Sequence, residues 1–152
     1  MSLEEEILEE LKKNFPEAII DAKVQKKQRI VVTIKKEYLL DLCKFLKEKL
    51  GFDHLSCVSG VDFPDRFEVV HHLCSYSKKC ILALKTPLQK GSPKISSVTQ
   101  LWGSANWLER ETYDLFGIIF EGHPNLTRIL LPEDWEGHPL RKDFKMIERP
   151  WF

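Results

Sequence analysis

The fold is decided by residues 54–85, which read HLSCVSGVDFPDRFEVVHHLCSYSKKCILALK. Apolar and β-branched residues dominate three runs of this stretch, and short polar segments separate the runs. The runs are 54–61, 67–76 and 80–85. The segment between the first two, Asp62–Arg66, has the proline and the acidic residues of a hairpin turn. The stretch therefore predicts three consecutive strands of one sheet.

The residues before this stretch predict two helices and a hairpin. Apolar residues recur at every fourth position through residues 3–14, which indicates an amphipathic helix. The runs 18–24 and 30–34 are rich in strand-forming residues and have a polar segment between them, so we expect them to pair as a hairpin. A second apolar stripe predicts a helix over residues 38–50, which Gly51 would end.

A third amphipathic stretch follows the strands and predicts a helix over residues 97–116. Trp102 and Trp107 fall within it and are expected to pack in the core. The predicted order of elements is therefore α-β-β-α-β-β-β-α. This order is typical of an α+β fold, here a two-layer sandwich in which a mixed or mostly antiparallel five-stranded sheet carries the helices.

Two tetrapeptides have the pattern of a capping box, in which a hydroxyl and a carboxylate or amide satisfy the first N–H groups of a helix. They are Ser2-x-x-Glu5, before the first predicted helix, and Ser97-x-x-Gln100, before the third. We expect each to begin its helix.

The composition is that of an ordinary globular domain and excludes several functions. The chain has 152 residues, 43% of them hydrophobic and 30% charged, and its formal net charge is zero. Nucleic-acid binding depends on an excess of Lys and Arg, so no nucleic-acid partner is expected. No run of about 18 apolar residues is present, so we expect any membrane association to come through a partner.

Residues 117–152 differ from the rest of the chain. Four prolines interrupt this segment, yet it is rich in aromatic and aliphatic side chains. Burial of one such side chain contributes roughly 1.5–3 kcal/mol, so these side chains are not expected to remain in water. We therefore predict a domain over 1–116 and an irregular, extended C-terminal arm over 117–152 that docks on another protein. The alternative is an arm folded back on its own sheet.

Three acidic residues lie in the last two turns of the third predicted helix, where the helix dipole disfavours negative charge. They are Glu109, Glu111 and Asp114. We expect cations of the arm, or of a partner, to meet these carboxylates. The arm offers Arg128, Arg141 and Lys142, with Asp143 adjoining. The alternatives are a solvated charged face and a pair of catalytic carboxylates.

The tetrapeptide Glu-Gly-His-Pro occurs twice, at 121–124 and at 136–139. Because Glu and His ligate zinc well, the alternative function is a small stand-alone metal-dependent hydrolase that uses these repeats. Gly-His-Pro is also an ordinary turn sequence, and we favour a pair of structural turns.

His71 and His72 lie on one predicted strand, where alternation sends them to opposite faces. Cys43, Cys57, Cys74 and Cys80 include no Cys-x-x-Cys pair and are expected to be reduced thiols. Of these, Cys74 and Cys80 should be small core or half-buried residues.

Two blocks of the sequence resemble one known family. Residues 109–130 read ERETYDLFGIIFEGHPNLTRIL, and residues 136–144 read EGHPLRKDF. Both blocks are similar to the signature of the C-type subunits of NADH-quinone oxidoreductase, the thirty-kilodalton subunit family of respiratory complex I. The same family includes subunits of F420H2 dehydrogenases, of ferredoxin-type dehydrogenases and of membrane-bound energy-converting hydrogenases.

The resemblance implies a non-catalytic structural or assembly subunit of an electron-transport complex, with no cofactor in this chain. Iron–sulfur clusters and a flavin or a nickel–iron site are expected in partner subunits. The implied partners are the hydrogenase-like large subunit (D type) and the iron–sulfur subunits of the hydrophilic part of the complex. The implied place is the cytoplasmic side of the cell membrane, and both dehydrogenase and hydrogenase complexes remain open.

The resemblance also implies a partner interface whose residues lie in the two blocks or between them. They are Glu109, Arg110, Glu111, Asp114, Phe116, Gly117, Phe120, Gly122, His123, Pro124, Leu126, Arg128, Leu130, Trp135, Gly137, Pro139, Leu140, Arg141, Lys142, Asp143 and Phe144. The charged members would order the junction between domain and arm. The apolar members expected to anchor the arm are Phe120, Leu126, Leu130, Trp135 and Phe144.

Overall fold

A computed structural model describes residues 1–146 of the chain. Within them the elements follow the order α-β-β-α-β-β-β-β-α-β, with a short 3-10 turn at 36–38 before the second helix. The helices are α1 (Leu3–Asn14), α2 (Leu39–Glu48) and α3 (Ala105–Phe116). The strands are β1 (Ile19–Lys26), β2 (Arg29–Ile34), β3 (His54–Asp62), β4 (Phe67–Ser75), β5 (Cys80–Leu88), β6 (Lys94–Ser96) and β7 (Ile119–Glu121).

Five of the strands form one mixed sheet in the order β1-β2-β5-β4-β3. β1 pairs antiparallel with β2, β2 runs parallel to β5, and β4 pairs antiparallel with both β5 and β3. The predicted α+β sandwich with a five-stranded sheet is confirmed. The short strands β6 and β7 form a separate parallel pair, which the sequence patterns did not predict.

The helices pack on one face of the five-stranded sheet. Phe67, Val69 and Leu73 alternate along β4 toward that face, where they join the apolar stripes of α1 and α2 in one buried cluster. α1 begins at the predicted capping box: the Ser2 hydroxyl accepts from the Glu5 N–H at 3.3 Å, and the Glu5 carboxylate accepts from the Ser2 N–H at 3.1 Å. Local sequence signals and the global core therefore agree in this half of the chain.

α3 packs along β3, which is an edge strand of the sheet. The hydroxyl of Ser104, just before the helix, donates to the Leu55 carbonyl at 2.9 Å. The hydroxyl of Thr112 donates to the Val58 carbonyl at 3.1 Å. Because an uncovered edge strand leaves backbone groups without partners, these two hydroxyls help to satisfy β3 and fix α3 against it.

α3 begins later than the sequence predicted. It starts at Ala105 rather than at residue 97, and Ser97 does not form a capping box. Instead, the Ser97 hydroxyl donates to the Glu109 carboxylate at 2.7 Å, and its backbone N–H donates to the Glu121 carbonyl at 2.8 Å. These tertiary contacts hold Ser97 at the end of β6 and not at the start of a helix.

The side chains around α3 show where the core ends. Trp102 is buried as predicted, but Trp107 is 70% exposed, so the expectation that it packs in the core is wrong. Ile118 and Phe120 are buried, and the core therefore continues past residue 116. From residue 122 to residue 146 the arm contains no helix or strand, as its irregular sequence predicted.

The described helices are all too short or too polar to cross a membrane. The division into a domain over 1–116 and an arm over 117–152 stays a prediction.

Candidate functional site

Asp114, in the last turn of α3, is the point at which the arm joins the domain. Its side chain is fully buried. Its Oδ2 accepts backbone N–H bonds from Ile129, Leu130 and Leu131, at 3.2, 2.9 and 2.9 Å. Its Oδ1 accepts from the Arg128 guanidinium at 2.8 Å. Three successive N–H groups and one cation therefore converge on a single carboxylate.

The electrostatics of this site favour the ionised carboxylate. Burial by itself raises the pKa of Asp114, but the N–H bonds from Leu131 and Leu130, the Arg128 bond and the Ile129 bond together outweigh burial and hold the pKa below its ordinary value. The expectation that a cation of the arm meets the acidic cluster is confirmed for this residue.

The second block of the resemblance caps the C-terminus of α3. The last four carbonyls of a helix have no partner inside the helix. Here the Gly117 N–H donates to the Tyr113 carbonyl (2.7 Å), and His138 Nδ1 donates to the Asp114 carbonyl (3.0 Å). The Leu140 N–H donates to the Leu115 carbonyl (3.0 Å), and Arg141 Nε donates to the Phe116 carbonyl (2.6 Å). Three of the four come from residues 138–141 of the arm, and the cation of Arg141 lies where the helix dipole is negative.

Gly117 makes the close approach of this block possible. Its φ of +75° is left-handed, a conformation in which a side chain is strained. A Cβ at this position would lie 2.6 Å from the His138 ring and 2.8 Å from a guanidinium nitrogen of Arg141. The glycine thus serves both the turn after α3 and the packing of the arm.

The two Glu-Gly-His-Pro repeats are turns that place a histidine against α3. Gly122 and Gly137 both have left-handed φ values, +86° and +87°. His123 Nε2 lies 2.9 Å from the Asn106 carbonyl, and His138 Nδ1 binds the Asp114 carbonyl. A carbonyl only accepts, so these ring nitrogens carry the protons. The repeats are therefore structural turns, the interpretation favoured above.

No group of three or more His, Cys, Asp or Glu side chains within residues 1–146 is placed to hold a metal ion. His71 is fully buried and His72 only partly, as expected for opposite faces of a strand. Burial lowers the pKa of His71 to about 4. Cys80 is buried and Cys74 half-buried, as predicted, and all four cysteines are free thiols.

Glu109 has a different role from the one predicted. It is fully buried, and it accepts from the Ser97 hydroxyl and from the Val98 N–H, both at 2.7 Å. Burial raises its pKa to about 7, although both hydrogen bonds act in the opposite direction. The expectation that a cation of the arm or of a partner meets Glu109 is wrong, because this carboxylate faces the interior and fixes the segment between β6 and α3.

The remaining charged residues of the cluster differ in their contacts with the arm. Arg110 donates from Nε to the Thr127 carbonyl and from Nη2 to the Arg128 carbonyl, each at 3.1 Å. Glu111 is exposed, and none of the ion pairs found in residues 1–146 includes it. The alternative of a solvated charged face therefore holds for Glu111 alone.

A second junction lies at Asp62, which the sequence predicted only as a turn residue. Asp62 is buried; its Oδ1 lies 2.5 Å from Lys90 Nζ, and its Oδ2 accepts from the Lys142 N–H at 2.9 Å. The Lys90 contact is the main reason that the pKa of Asp62 lies below its ordinary value. The guanidinium carbon of Arg141 lies over the neighbouring Phe67 ring, 5.0 Å from the ring centroid. No local signal marked this position, because its partners are 28 and 80 residues away in the sequence.

The apolar residues assigned to the interface divide by exposure. Phe116 and Phe120 are buried in the core of this chain, and Leu126 packs against that core. Leu130 and Leu140 are 62% and 52% exposed, although their backbone N–H groups bind to Asp114 and to the next helix residue. At Leu130 and Leu140 a fixed backbone thus leaves an apolar side chain exposed to solvent at the end of α3.

The sequence and this geometry agree with one family of known proteins. Residues 32–150 match the family model described as "Respiratory-chain NADH dehydrogenase, 30 Kd subunit". The chain belongs to this family and is a subunit of a respiratory-chain complex of that kind.

Two relatives cover most of the chain. The chain is 46% identical over 142 residues to the C subunit of F(420)H(2) dehydrogenase of Methanosarcina mazei, covering 91% of this chain and 90% of the relative. It is 45% identical over 139 residues to the C subunit of NADH-quinone oxidoreductase of Citrifermentans bemidjiense, covering 90% and 86%. Both similarities include the arm as well as the domain.

Solved structures share the fold. A chain of the membrane-bound sulfane sulfur reductase, an archaeal respiratory membrane complex, superposes with a TM-score of 0.83 at 26% identity, over 94% of this chain and 86% of that chain. A trypsin-resistant fragment of Nqo5 superposes with a TM-score of 0.68 at 33% identity, over 80% and 98%.

Proposed function

We propose that this chain is a non-catalytic structural subunit that docks, through its arm, beside a hydrogenase-like large subunit (D type) of a dehydrogenase or hydrogenase complex. Its role is to hold neighbouring subunits in a fixed arrangement, since electron transfer between cofactors needs fixed geometry. The iron–sulfur clusters and the flavin or nickel–iron site belong to partner subunits. The chain itself lies peripherally, on the cytoplasmic side of the membrane.

One observation carries the proposal: the arm is anchored while part of its apolar surface stays in solvent. Asp114 and the capped end of α3 fix the backbones of Leu130 and Leu140, yet both side chains are more than half exposed. Because the backbone is already fixed at both positions, a partner that covers these side chains has less conformational freedom to remove. The end of α3 is therefore a preorganised docking surface.

The experiment is co-purification of the complex from cells that express Leu130→Asp together with Leu140→Asp. We expect the large subunit to be lost from the purified material, because a carboxylate in a desolvated apolar contact is strongly unfavourable. Ile20→Asp is the matched control, since Ile20 is 55% exposed on β1, at the opposite edge of the sheet from β3.

Circular dichroism of the isolated variants should show the folded domain in each case, because the altered side chains are exposed. Substitution is preferable to deletion of residues 124–152, which would remove the donors to the buried Asp114 carboxylate. Normal recovery of the large subunit with the double variant would refute the proposed docking surface.

A further inference from the structure

Residues of the arm form a cleft of about 620 Å³. Its walls are Pro132, Asp134, Trp135, Glu136, Phe144, Lys145 and Met146. The Trp135 and Phe144 rings lie nearly parallel, with an interplanar angle of 20° and centroids 6.4 Å apart. Phe144 is seated against Gly137, where a Cβ would lie 3.0 Å from the ring. The cleft therefore has an ordered, flat aromatic wall.

The charged groups at this cleft favour a cationic ligand. Asp134 and Glu136 are exposed carboxylates on either side of Trp135, and Lys145 is the single cation among the lining residues. The indole Nε1 of Trp135 is buried and has no acceptor among residues 1–146. The two carboxylates outnumber the one ammonium, so the lining has a net negative charge that suits a cation.

We propose that this cleft receives an arginine side chain of a partner protein. A guanidinium is planar and stacks on aromatic rings, and its N–H groups bind carboxylates. In this arrangement the guanidinium lies against the aromatic wall and donates to Asp134 and Glu136. The inference rests on the proposed docking function and deepens it by naming the chemistry that the partner presents at this part of the arm.

The test is a nuclear magnetic resonance titration of the isolated full chain, with the indole N–H signal of Trp135 as the readout. Trp135→Phe assigns this signal among the four tryptophans of the chain. The probe is N-acetyl-arginine N-methylamide, which carries a guanidinium and two peptide groups. The citrulline analogue is its neutral isostere, and the lysine and leucine analogues replace the planar cation by a compact cation and by an apolar group.

We expect a saturable shift of the Trp135 signal with a Kd for the arginine probe about threefold or more below that for the citrulline probe, the size of an exposed cation–π and ionic contact. Asp134→Asn with Glu136→Gln should abolish this difference, whereas Glu9→Gln with Glu10→Gln on α1 should preserve it. The difference should also shrink between about 0.01 M and 1 M salt, where the screening length falls from about 30 Å to about 3 Å.

Several results would overturn the inference. They are the lack of a saturable shift, equal affinity for arginine and citrulline or for arginine and lysine, and tighter binding of the leucine probe. Tighter binding of the arginine probe to Arg149→Gln than to the unaltered chain would also overturn it, because the chain's own arginine would then compete for the cleft. Because this titration uses no partner protein, its failure would leave the co-purification test of Leu130 and Leu140 intact, and the reverse also holds.

Discussion

Replacement of Asp114 by Asn tests the junction between domain and arm with almost no change of shape. The carboxylate is fully buried and accepts from three backbone N–H groups and from Arg128, whose side chain is only 13% exposed. An Asn side chain keeps one acceptor. If the Asn oxygen faces the backbone N–H groups, the Asn NH2 group faces the guanidinium. In the other orientation, the NH2 group faces the backbone N–H groups. Either orientation opposes donors to donors.

The size of the effect follows from the burial of this ion pair. Removal of one partner of a buried ion pair costs about 3–5 kcal/mol, because the other charge remains without compensation. Arg128 can recover part of this loss through its bond to the Gly137 carbonyl at 3.0 Å and through access to water. We therefore expect a loss of about 3 kcal/mol in the free energy that holds residues 128–131 on α3, which corresponds to roughly a 100-fold change in an equilibrium constant.

Amide hydrogen exchange measures this free energy residue by residue. The amides of Ile129, Leu130 and Leu131 should exchange about 100-fold faster in Asp114→Asn than in the unaltered chain. The amides of β4, in the middle of the sheet, should change far less if the arm opens locally. Glu111→Gln removes a carboxylate of the same helix that is exposed, and it should leave all of these rates within about twofold. Unchanged protection of residues 129–131 in Asp114→Asn would refute the reasoning.

The remaining predictions concern Glu109 and the glycine after α3. Glu109→Gln should make the free energy of unfolding less dependent on pH. Burial raises the pKa of Glu109 from 4.5 to about 7. The unaltered chain should therefore lose roughly 3 kcal/mol of unfolding free energy as pH rises from about 4.5 through 7. Urea unfolding at pH 5 and pH 8 measures this, and an equal change in unfolding free energy for both proteins would contradict it. Gly117→Ala should destabilise the fold more than Gly122→Ala does. Both glycines have left-handed φ, but only at Gly117 would an added Cβ meet the His138 ring. Equal urea midpoints for the two variants would exclude that contact.

Local periodicity predicted the sheet and the first two helices because each depends on contacts that the pattern itself encodes. Alternation along β4 places every second side chain on the helix-covered face, and the capping box at Ser2 and Glu5 satisfies the start of α1 with neighbours in sequence. The candidate site is different. The cations of Arg128 and Arg141 were predicted to meet carboxylates, but Arg141 instead caps the Phe116 carbonyl, and no sequence pattern distinguishes these two outcomes.

The two motifs that resemble a capping box show why the start of α3 could not be predicted from neighbouring residues in the sequence. Ser2 caps α1 with a partner only three residues away. Ser97 has a stronger partner, since the Glu109 carboxyl group is fully buried, and a buried polar group without hydrogen bonds costs more than a missing helix cap. Ser97 therefore stays with Glu109, the segment before α3 stays irregular, and α3 begins at Ala105. The start of α3 therefore depends on Glu109, a residue inside the helix. This contact can be inferred only once the position of α3 against the strands is known.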